Sequence, residues 1–217
     1  MFFVDLLFPN RCLDCSRIIH QSEVVCAACF DQIYFTHYHF DQNNLLKERC
    51  QLLFPVESAI ALMQFEDESL SRKIIHQLKY GGRPKVGKTL AHWVLEKTNL
   101  KELQPDLLVT VPLHRRKLRE RGYNQLHLFA DTLSADLGIP CDHSLIKRNF
   151  YKKAQAKKNK AQRDKSKNPF SITKEIKGKH ILVIDDVFTT GKTMSDVVWE
   201  ILKNPENRVS VLVMAMD

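Results

Sequence analysis

Residues 183–193 read VIDDVFTTGKT, and this run joins three kinds of local structure. Residues 181–184 are all apolar and mostly β-branched, which is typical of a short strand buried within a parallel sheet. Two carboxylates follow at Asp185 and Asp186, and a turn of Thr and Gly residues leads into a segment with apolar residues at helical spacing. Because ligands bind at the carboxyl ends of such strands, the run predicts a binding site on an α/β domain.

The residue types around this strand end indicate what the site binds. Backbone N–H groups and hydroxyls in a turn at a helix start converge on an anion, and the helix dipole adds to the attraction. Asp185 and Asp186 can accept hydrogen bonds from a vicinal diol, or hold Mg2+ through water. A diol beside a phosphate describes a ribose 5-phosphate, and the alternative is an acidic strand end followed by a capped helix. The predicted phosphate ligands are Thr189, Thr190, Gly191, Lys192 and Thr193.

Strand and helix patterns alternate through the chain from about residue 56 onward. Short apolar runs predict further strands at residues 59–65, 107–111 and 209–215. Apolar residues at spacings of three and four predict helices at 70–80, 126–137 and 194–202. We therefore expect an α/β domain with a mostly parallel sheet at residues 56–217, preceded by a small module at residues 1–55.

Four cysteines form two pairs near the start of the chain, at Cys12, Cys15, Cys26 and Cys29. Their spacing, C-x2-C-x10-C-x2-C, lets each pair present two thiolates to one tetrahedral Zn2+. Four thiolates fill the coordination shell, which predicts a structural zinc site in a segment too short to bury a stable core of its own. Cys50 and Cys141 stand alone, and we expect both to be small buried hydrophobes.

A second phosphate-loop pattern lies earlier in the chain. Residues 82–89 read GRPKVGKT and satisfy the G-x-x-x-x-G-K-T pattern of nucleoside triphosphate loops. A true loop of this kind follows a buried strand, whereas residues 70–80 predict an amphipathic helix. The expected structure is therefore a turn between two helices, with the second helix at residues 88–97.

The chain carries 33 basic and 25 acidic side chains, and the resulting net charge of +8 favours phosphate-bearing partners. Ten basic residues and one acidic residue lie between Lys147 and Lys167, with Phe150 and Tyr151 among them. Basic and aromatic side chains together suit single-stranded DNA. The predicted DNA contacts are Lys152, Lys153, Lys157, Lys158 and Arg163, and the alternative is a solvated loop without a partner.

The apolar start of the chain does not have the pattern of an export signal. Residues 1–9 lack a basic leader and a small-residue cleavage site, and no apolar run approaches the roughly 18 residues that a membrane helix needs. We therefore expect a cytoplasmic protein without a membrane span. In that compartment the cysteines stay reduced and available to a metal.

The run at residues 183–193 resembles the signature with which type I phosphoribosyltransferases bind 5-phosphoribosyl-1-pyrophosphate (PRPP). Two further segments, LKYGG at residues 78–82 and VPLHRRKLRERGYNQ at residues 111–125, accompany it. Together with the cysteine pairs, they resemble the ComF family of bacterial competence proteins. The resemblance implies a type I phosphoribosyltransferase-like core behind a small four-cysteine module of zinc-ribbon type.

The resemblance also implies roles for individual residues. Asp185 and Asp186 would meet the ribose hydroxyls of PRPP with Mg2+, and residues 189–193 would bind its 5-phosphate. Leu113, His114 and Arg115 match the loop that holds pyrophosphate, which makes Arg115 a candidate to stabilise the leaving group. Lys79 either reaches the same anion or is a solvated helix end.

By resemblance, the protein is expected to support natural transformation by binding PRPP and single-stranded DNA, together with other competence proteins that handle incoming DNA. The alternative is an active phosphoribosyltransferase on an unidentified acceptor. No residue pattern identifies a base or an amine as that acceptor, so the choice between enzyme and binding module stays open.

Overall fold

A four-stranded parallel sheet forms the centre of the protein. The computed structural model describes residues 8–83, 85–149 and 168–217. The sheet contains β1 (Ser58–Gln64), β2 (Leu107–Thr110), β5 (His180–Phe188) and β6 (Arg208–Met216). Their order is β1-β6-β5-β2, and every pairing is parallel, as predicted. A separate antiparallel pair consists of β3 (Ile146–Arg148) and β4 (Phe170–Ile172).

Helices cover this sheet and connect its strands. They are α1 (Ala27–Phe30), α2 (Leu45–Gln51), α3 (Leu70–Tyr80), α4 (Lys85–Lys97), α5 (Leu100–Leu103), α6 (Arg115–Arg121), α7 (His127–Leu137) and α8 (Lys192–Ile201). Side chains cap three of them at the start: Ser69 accepts from the backbone N–H of Arg72, Asn44 from that of Lys47, and His114 from that of Arg116. Gly138 ends α7 in the left-handed conformation that favours glycine.

The core lies on both faces of the sheet. Residues 58–63 of β1 are buried without interruption, which is typical of a parallel strand with helices on each side. On one side α4 packs closely against α7: a Cβ atom at Gly87 would lie 3.3 Å from the backbone nitrogen of Phe129. Each buried Leu, Ile or Val side chain stabilises the fold by about 1.5–3 kcal/mol.

β5 extends four residues beyond its predicted end at residue 184. The reason is unequal pairing on its two sides. Its partner β2 ends where Thr110 pairs with Ile184, whereas β6 continues alongside, with Val213 opposite Asp185 and Met216 opposite Phe188. Asp185 and Asp186 therefore lie on a strand rather than after it. They lie on the part of β5 that extends past the last residue of β2.

Residues 34–36, which follow the four clustered cysteines, join the edge of the main sheet. Phe35 forms an antiparallel bridge with Met63 of β1. On either side, the Thr36 N–H donates to the Leu62 carbonyl at 3.1 Å, and the Gln64 N–H donates to the Tyr34 carbonyl at 2.9 Å. The division into residues 1–55 and 56–217 remains a prediction.

The structure confirms that the GRPKVGKT run contains a turn between two helices. Helix α3 ends at Tyr80, and α4 begins at Lys85, three residues earlier than predicted. A helix rather than a buried strand leads directly into the GRPKVGKT run, so the run lacks the context of a nucleoside triphosphate loop. Across the part of the chain that the structure describes, no helix has the length and apolar character to cross a membrane.

Candidate functional site

The end of β5 and the start of α8 enclose a small hollow. Its volume is about 40 Å3. The residues that line it include Asp185, Thr189, Thr190, Gly191, Lys192 and Thr193. The structure thus brings one of the two predicted diol ligands together with all five predicted phosphate ligands.

Gly191 shapes this loop at the residue before α8. Its φ is +70°, in the left-handed region that residues with a side chain rarely adopt. Space is also lacking, because a Cβ atom there would lie 2.4 Å from Cδ1 of Leu53 and 2.6 Å from Cζ of Phe188. A residue of the connection that precedes β1 therefore packs directly against the loop.

The Asp185 carboxyl group has an unusual electrostatic environment. Burial, together with the neighbouring Asp186 carboxylate, raises its pKa to about 7, against an opposing influence of Lys79 and Arg148. A carboxyl group with such a pKa gains or loses a proton near neutral pH. Perturbation of this kind, at the end of a central strand, is typical of functional sites.

Asp186 faces a different set of partners. Its Oδ1 atom lies 2.7 Å from Nζ of Lys79, on α3, and its Oδ2 atom accepts a hydrogen bond from Nε2 of Gln125. The amide oxygen of Gln125 in turn accepts from Nη1 of Arg121 at 2.7 Å. The structure therefore places Lys79 in an ion pair with Asp186 rather than at a solvated helix end, and its contact with the anion remains a prediction.

The LKYGG and RERGYNQ segments pack against each other. The guanidinium of Arg121 lies 4.8 Å from the centre of the Tyr80 ring and donates to the Tyr80 hydroxyl at 3.2 Å. The Tyr123 hydroxyl donates to the Leu78 carbonyl at 2.7 Å. These contacts fix the position of Lys79 and Gln125 beside Asp186. Gln125 was not among the predicted site residues, although it ends a motif that the sequence had singled out.

The residues predicted to bind pyrophosphate follow β2, the strand next to β5 in the sheet. Leu113 and His114 are half-buried in the connection, and Arg115 is exposed as the first residue of α6. The side chain of His114 caps this helix by accepting from the Arg116 N–H at 3.1 Å. Five of the seven residues of α6 are basic and none is buried, so the helix forms a cationic surface beside the site.

Arg49 links α2 to residues 189–193, the predicted phosphate loop. Its Nη2 atom donates to the carbonyl of Thr189 at 2.6 Å, its Nη1 atom donates to the carbonyl of Asp217, and its guanidinium lies 5.3 Å from the centre of the Phe188 ring. Trp199 of α8 adds a bond from Nε1 to the Leu53 carbonyl at 3.1 Å. No sequence signal distinguished Arg49 from the other basic residues of the chain.

The four clustered cysteines converge as predicted. Their sulfur atoms all lie within 4.8 Å of one another, and those of Cys15 and Cys26 are 3.7 Å apart. Tetrahedral zinc with sulfur at about 2.3 Å requires a separation of roughly 3.8 Å, so the four residues fit a structural zinc ion. Burial opposes ionisation of Cys12, but hydrogen bonds, first of all from the Cys26 N–H, lower its pKa to about 6.

The remaining predictions have mixed outcomes. Cys50 is fully buried, and burial raises its pKa to about 12, as expected of a small hydrophobe. Cys141 is only partly buried and lies beside polar side chains, which differs from the prediction. The predicted DNA contacts Lys152, Lys153, Lys157, Lys158 and Arg163 lie outside the described residues.

Two protein-family models match this chain. The phosphoribosyl transferase domain matches residues 127–213, which include β5 and α8. The double zinc ribbon domain matches residues 3–40, which include the four clustered cysteines. The fold and these matches define a protein with a phosphoribosyl transferase domain behind a zinc ribbon, and they confirm the predicted fold class. The four clustered cysteines provide the ligands of one zinc site, whereas the name of the matching domain refers to two zinc ribbons.

Relatives with related names are similar in sequence to this chain. The DNA utilization protein YhgH of Escherichia coli (strain K12) is 29% identical over 206 residues, covering 92% of this chain and 87% of that protein. Competence protein F of Haemophilus influenzae is 27% identical over 212 residues, covering 88% and 90%. Competence protein ComFC of Bacillus subtilis (strain 168) is 39% identical over 89 residues, covering 41% and 35%. These homologues confirm the resemblance to the ComF family.

Proposed function

We propose that this protein binds PRPP at residues 185–193 and supports the handling of incoming DNA. The observation that carries the first part is the arrangement at the end of β5, where a carboxylate and five turn residues line one hollow. The names of the relatives, DNA utilization protein and competence protein, support the second part. We also propose that the protein acts in the cytoplasm, with other competence proteins as partners.

The ribose 5-phosphate would be bound from two sides. The N–H groups and hydroxyls of residues 189–193 bind the 5-phosphate at the start of α8, where the helix dipole favours an anion. Asp185 and Asp186 accept hydrogen bonds from the ribose hydroxyls. Lys79 and Gln125 hold the Asp186 carboxylate in one orientation. Mg2+ held by the Asp185 carboxylate would neutralise charge on the pyrophosphate.

Displacement of pyrophosphate from the anomeric carbon would need no protein nucleophile. Such reactions pass through an oxocarbenium-like state, so the protein contributes by stabilising charge on the leaving group. Residues 113–114 would bind the pyrophosphate, and Arg115 would stabilise it as it leaves. An active phosphoribosyltransferase on an unidentified acceptor is the second candidate function, and the match to the phosphoribosyl transferase domain favours it.

Calorimetric titration with PRPP and Mg2+ tests the binding site. The double variant Asp185→Asn, Asp186→Asn should lose binding while it still folds and unfolds in one cooperative thermal transition. Glu206→Gln is the matched control, because it also turns a carboxylate into an amide. Glu206 lies before the start of β6, at the end of the strands opposite to the site. Equal PRPP affinity in the double variant and the control would refute the site.

A screen for pyrophosphate release distinguishes the two candidate functions. PRPP would be incubated with the protein and with nucleobases, amines or water, each with and without single-stranded DNA. Pyrophosphate release that depends on one acceptor would establish a transferase. PRPP binding without release under every condition would favour a binding module.

A further inference from the structure

Polar side chains cluster beside β2, outside the site described above. Asp131 lies on α7, and Cys141 and His143 lie on the connection between α7 and β3. This connection runs alongside the edge of the sheet, because Cys141 forms a parallel bridge with Leu108. The oxygen, sulfur and nitrogen atoms that the three side chains offer all lie within 4.8 Å of one another.

The separations between these atoms suit a tetrahedral metal ion. Nε2 of His143 lies 2.8 Å from Oδ1 of Asp131 and 3.9 Å from Sγ of Cys141. Zinc bound at about 2.3 Å from sulfur and about 2.0–2.2 Å from nitrogen and oxygen places its ligands roughly 3.4–3.6 Å apart. The two observed separations bracket this range, so small side-chain rotations bring all three ligands to bonding distance.

A buried hydroxyl supports the orientation of the imidazole. Nδ1 of His143 lies 3.1 Å from Oγ1 of Thr110, a buried residue near the end of β2. Metal-bound histidines generally donate their second N–H to an oxygen in this way, which fixes the tautomer and leaves the other nitrogen for the metal. The ring of His127 stacks on that of His143 with centres 3.9 Å apart and restrains it further.

We propose that Asp131, Cys141 and His143 form a second metal site, which binds a divalent transition metal of the zinc class. One oxygen, one nitrogen and one sulfur ligand leave a fourth position open to water or another ligand. The Cys141 thiol gives up its proton to solvent when the metal binds. The bound ion ties α7 to the edge of the sheet.

The same three residue types also occur in cysteine hydrolases, but this cluster does not suit that chemistry. Burial, together with the carboxylates of Asp131 and Asp142, raises the pKa of Cys141 to about 12. A catalytic thiol instead needs a lowered pKa. The hydrolase alternative also predicts activity without a metal, which the proposed site does not.

Titration with Co2+ of the full-length protein loaded with one equivalent of Zn2+ tests the proposal. That equivalent fills the four-cysteine site, so one equivalent of Co2+ should bind at the second site and give the visible absorption of tetrahedral cobalt with a thiolate ligand. Cys141→Ser and His143→Gln should abolish this absorption. Cys50→Ser is the matched control, because Cys50 is buried outside the cluster, and it should bind Co2+ as the wild type does.

Thr110 provides a finer test of the geometry. Thr110→Val should weaken Co2+ binding about 10- to 100-fold, and Thr110→Ser, which restores a hydroxyl, should recover it. Because a core variant can fail to fold, Asp131→Asn, at an exposed position, repeats the test without disturbing the core. Failure of the wild type to bind a second metal, or unchanged binding in Asp131→Asn and His143→Gln, would overturn the proposal. Neither result depends on PRPP.

Discussion

Gly191 meets two separate requirements, and a substitution can separate them. Its φ is positive, and Leu53 and Phe188 leave no room for a Cβ atom. Gly138 shares the positive φ, at +68°, but a Cβ atom there would meet nothing within 4 Å. The pair therefore distinguishes backbone strain from crowding.

Gly191→Ala should destabilise the protein more than Gly138→Ala. Left-handed backbone costs an alanine about 1–2 kcal/mol at either position. Crowding adds about 1–3 kcal/mol at residue 191 alone, and movement of Phe188 or Leu53 should also weaken PRPP binding. Denaturant unfolding and PRPP titration of both variants measure the two effects. Similar losses at the two positions would show that crowding is absent.

The raised pKa of Asp185 makes stability depend on pH. An isolated carboxyl of this kind has a pKa of 3.8, and the folded protein raises it to about 7. The folded state therefore holds the proton more tightly than the unfolded chain. This contribution to stability is fully present below about pH 4 and is lost as the pH rises through about 7.

Asp185→Asn should remove this dependence. The unfolding free energy of the wild type, relative to that of the variant, should fall between about pH 4 and pH 7 and change little at higher pH. Denaturant unfolding of both proteins across this range measures the difference, with Glu206→Gln as the control. A difference that rises with pH would have the wrong sign for a raised pKa.

Helix α2 supports the phosphate loop through Arg49. Hydrogen bonds that involve a charged group contribute about 1.5–3 kcal/mol, and the bond from Arg49 to the Thr189 carbonyl fixes a residue of the loop. Arg49→Ala should therefore weaken PRPP binding about tenfold or more. Lys47→Ala removes one positive charge from the same helix and should leave the affinity unchanged.

Arg49→Lys separates charge from geometry. Lysine keeps the charge but lacks the two separate nitrogens with which Arg49 reaches the Thr189 and Asp217 carbonyls, so it should restore only part of the affinity. Calorimetric titration with PRPP measures all three variants. Wild-type affinity in Arg49→Ala would show that the loop keeps its shape without α2.

The elements differ in how well the sequence predicted them. Helices α3 and α7 have clear apolar faces, and residues 181–184 form an apolar strand, so all three were found. Helix α6 was missed, because Leu118 is its only apolar residue. The His114 cap and the ion pair between Arg116 and Glu120, at 2.8 Å, support it instead. Strands β3 and β4 have three residues each, too few to show a period.

The site was predicted in part for a similar physical reason. The loop at residues 185–193 is contiguous in sequence, so its residue types revealed it. The partners of Asp186 come from two other segments, and Gln125 is 61 positions away. Such contacts depend on tertiary packing, which the patterns in a single sequence do not reveal. Arg49 was missed for the same reason.

Charge is unevenly distributed over the whole molecule. Helix α6 and residues 147–167 carry an excess of basic residues, whereas the rest of the chain has more acidic than basic residues. The net charge of +8 therefore arises from two basic segments of the chain. One of them lies directly after β2, beside the proposed PRPP site.

Binding of single-stranded DNA should weaken steeply with salt, because cationic side chains release counterions from the phosphates. Replacing Lys152, Lys153, Lys157 and Lys158 by Ala should reduce the slope of log affinity against log salt by about 3. A control that replaces Lys174, Lys177, Lys179 and Lys203 by Ala also removes four positive charges, but from another part of the chain. Equal slopes in the two variants would refute a DNA-binding role for residues 152–158.

A crystal structure of the protein with PRPP and Mg2+ tests the proposed PRPP site most directly. We predict that the 5-phosphate lies against the backbone N–H groups of residues 189–193, with the ribose hydroxyls at Asp185 and Asp186. Another cavity, about 1090 Å3 in volume, has Arg11, Arg83, Lys85 and Lys88 among the residues that line it. PRPP bound there, with no ligand density at residues 185–193, would disprove the account.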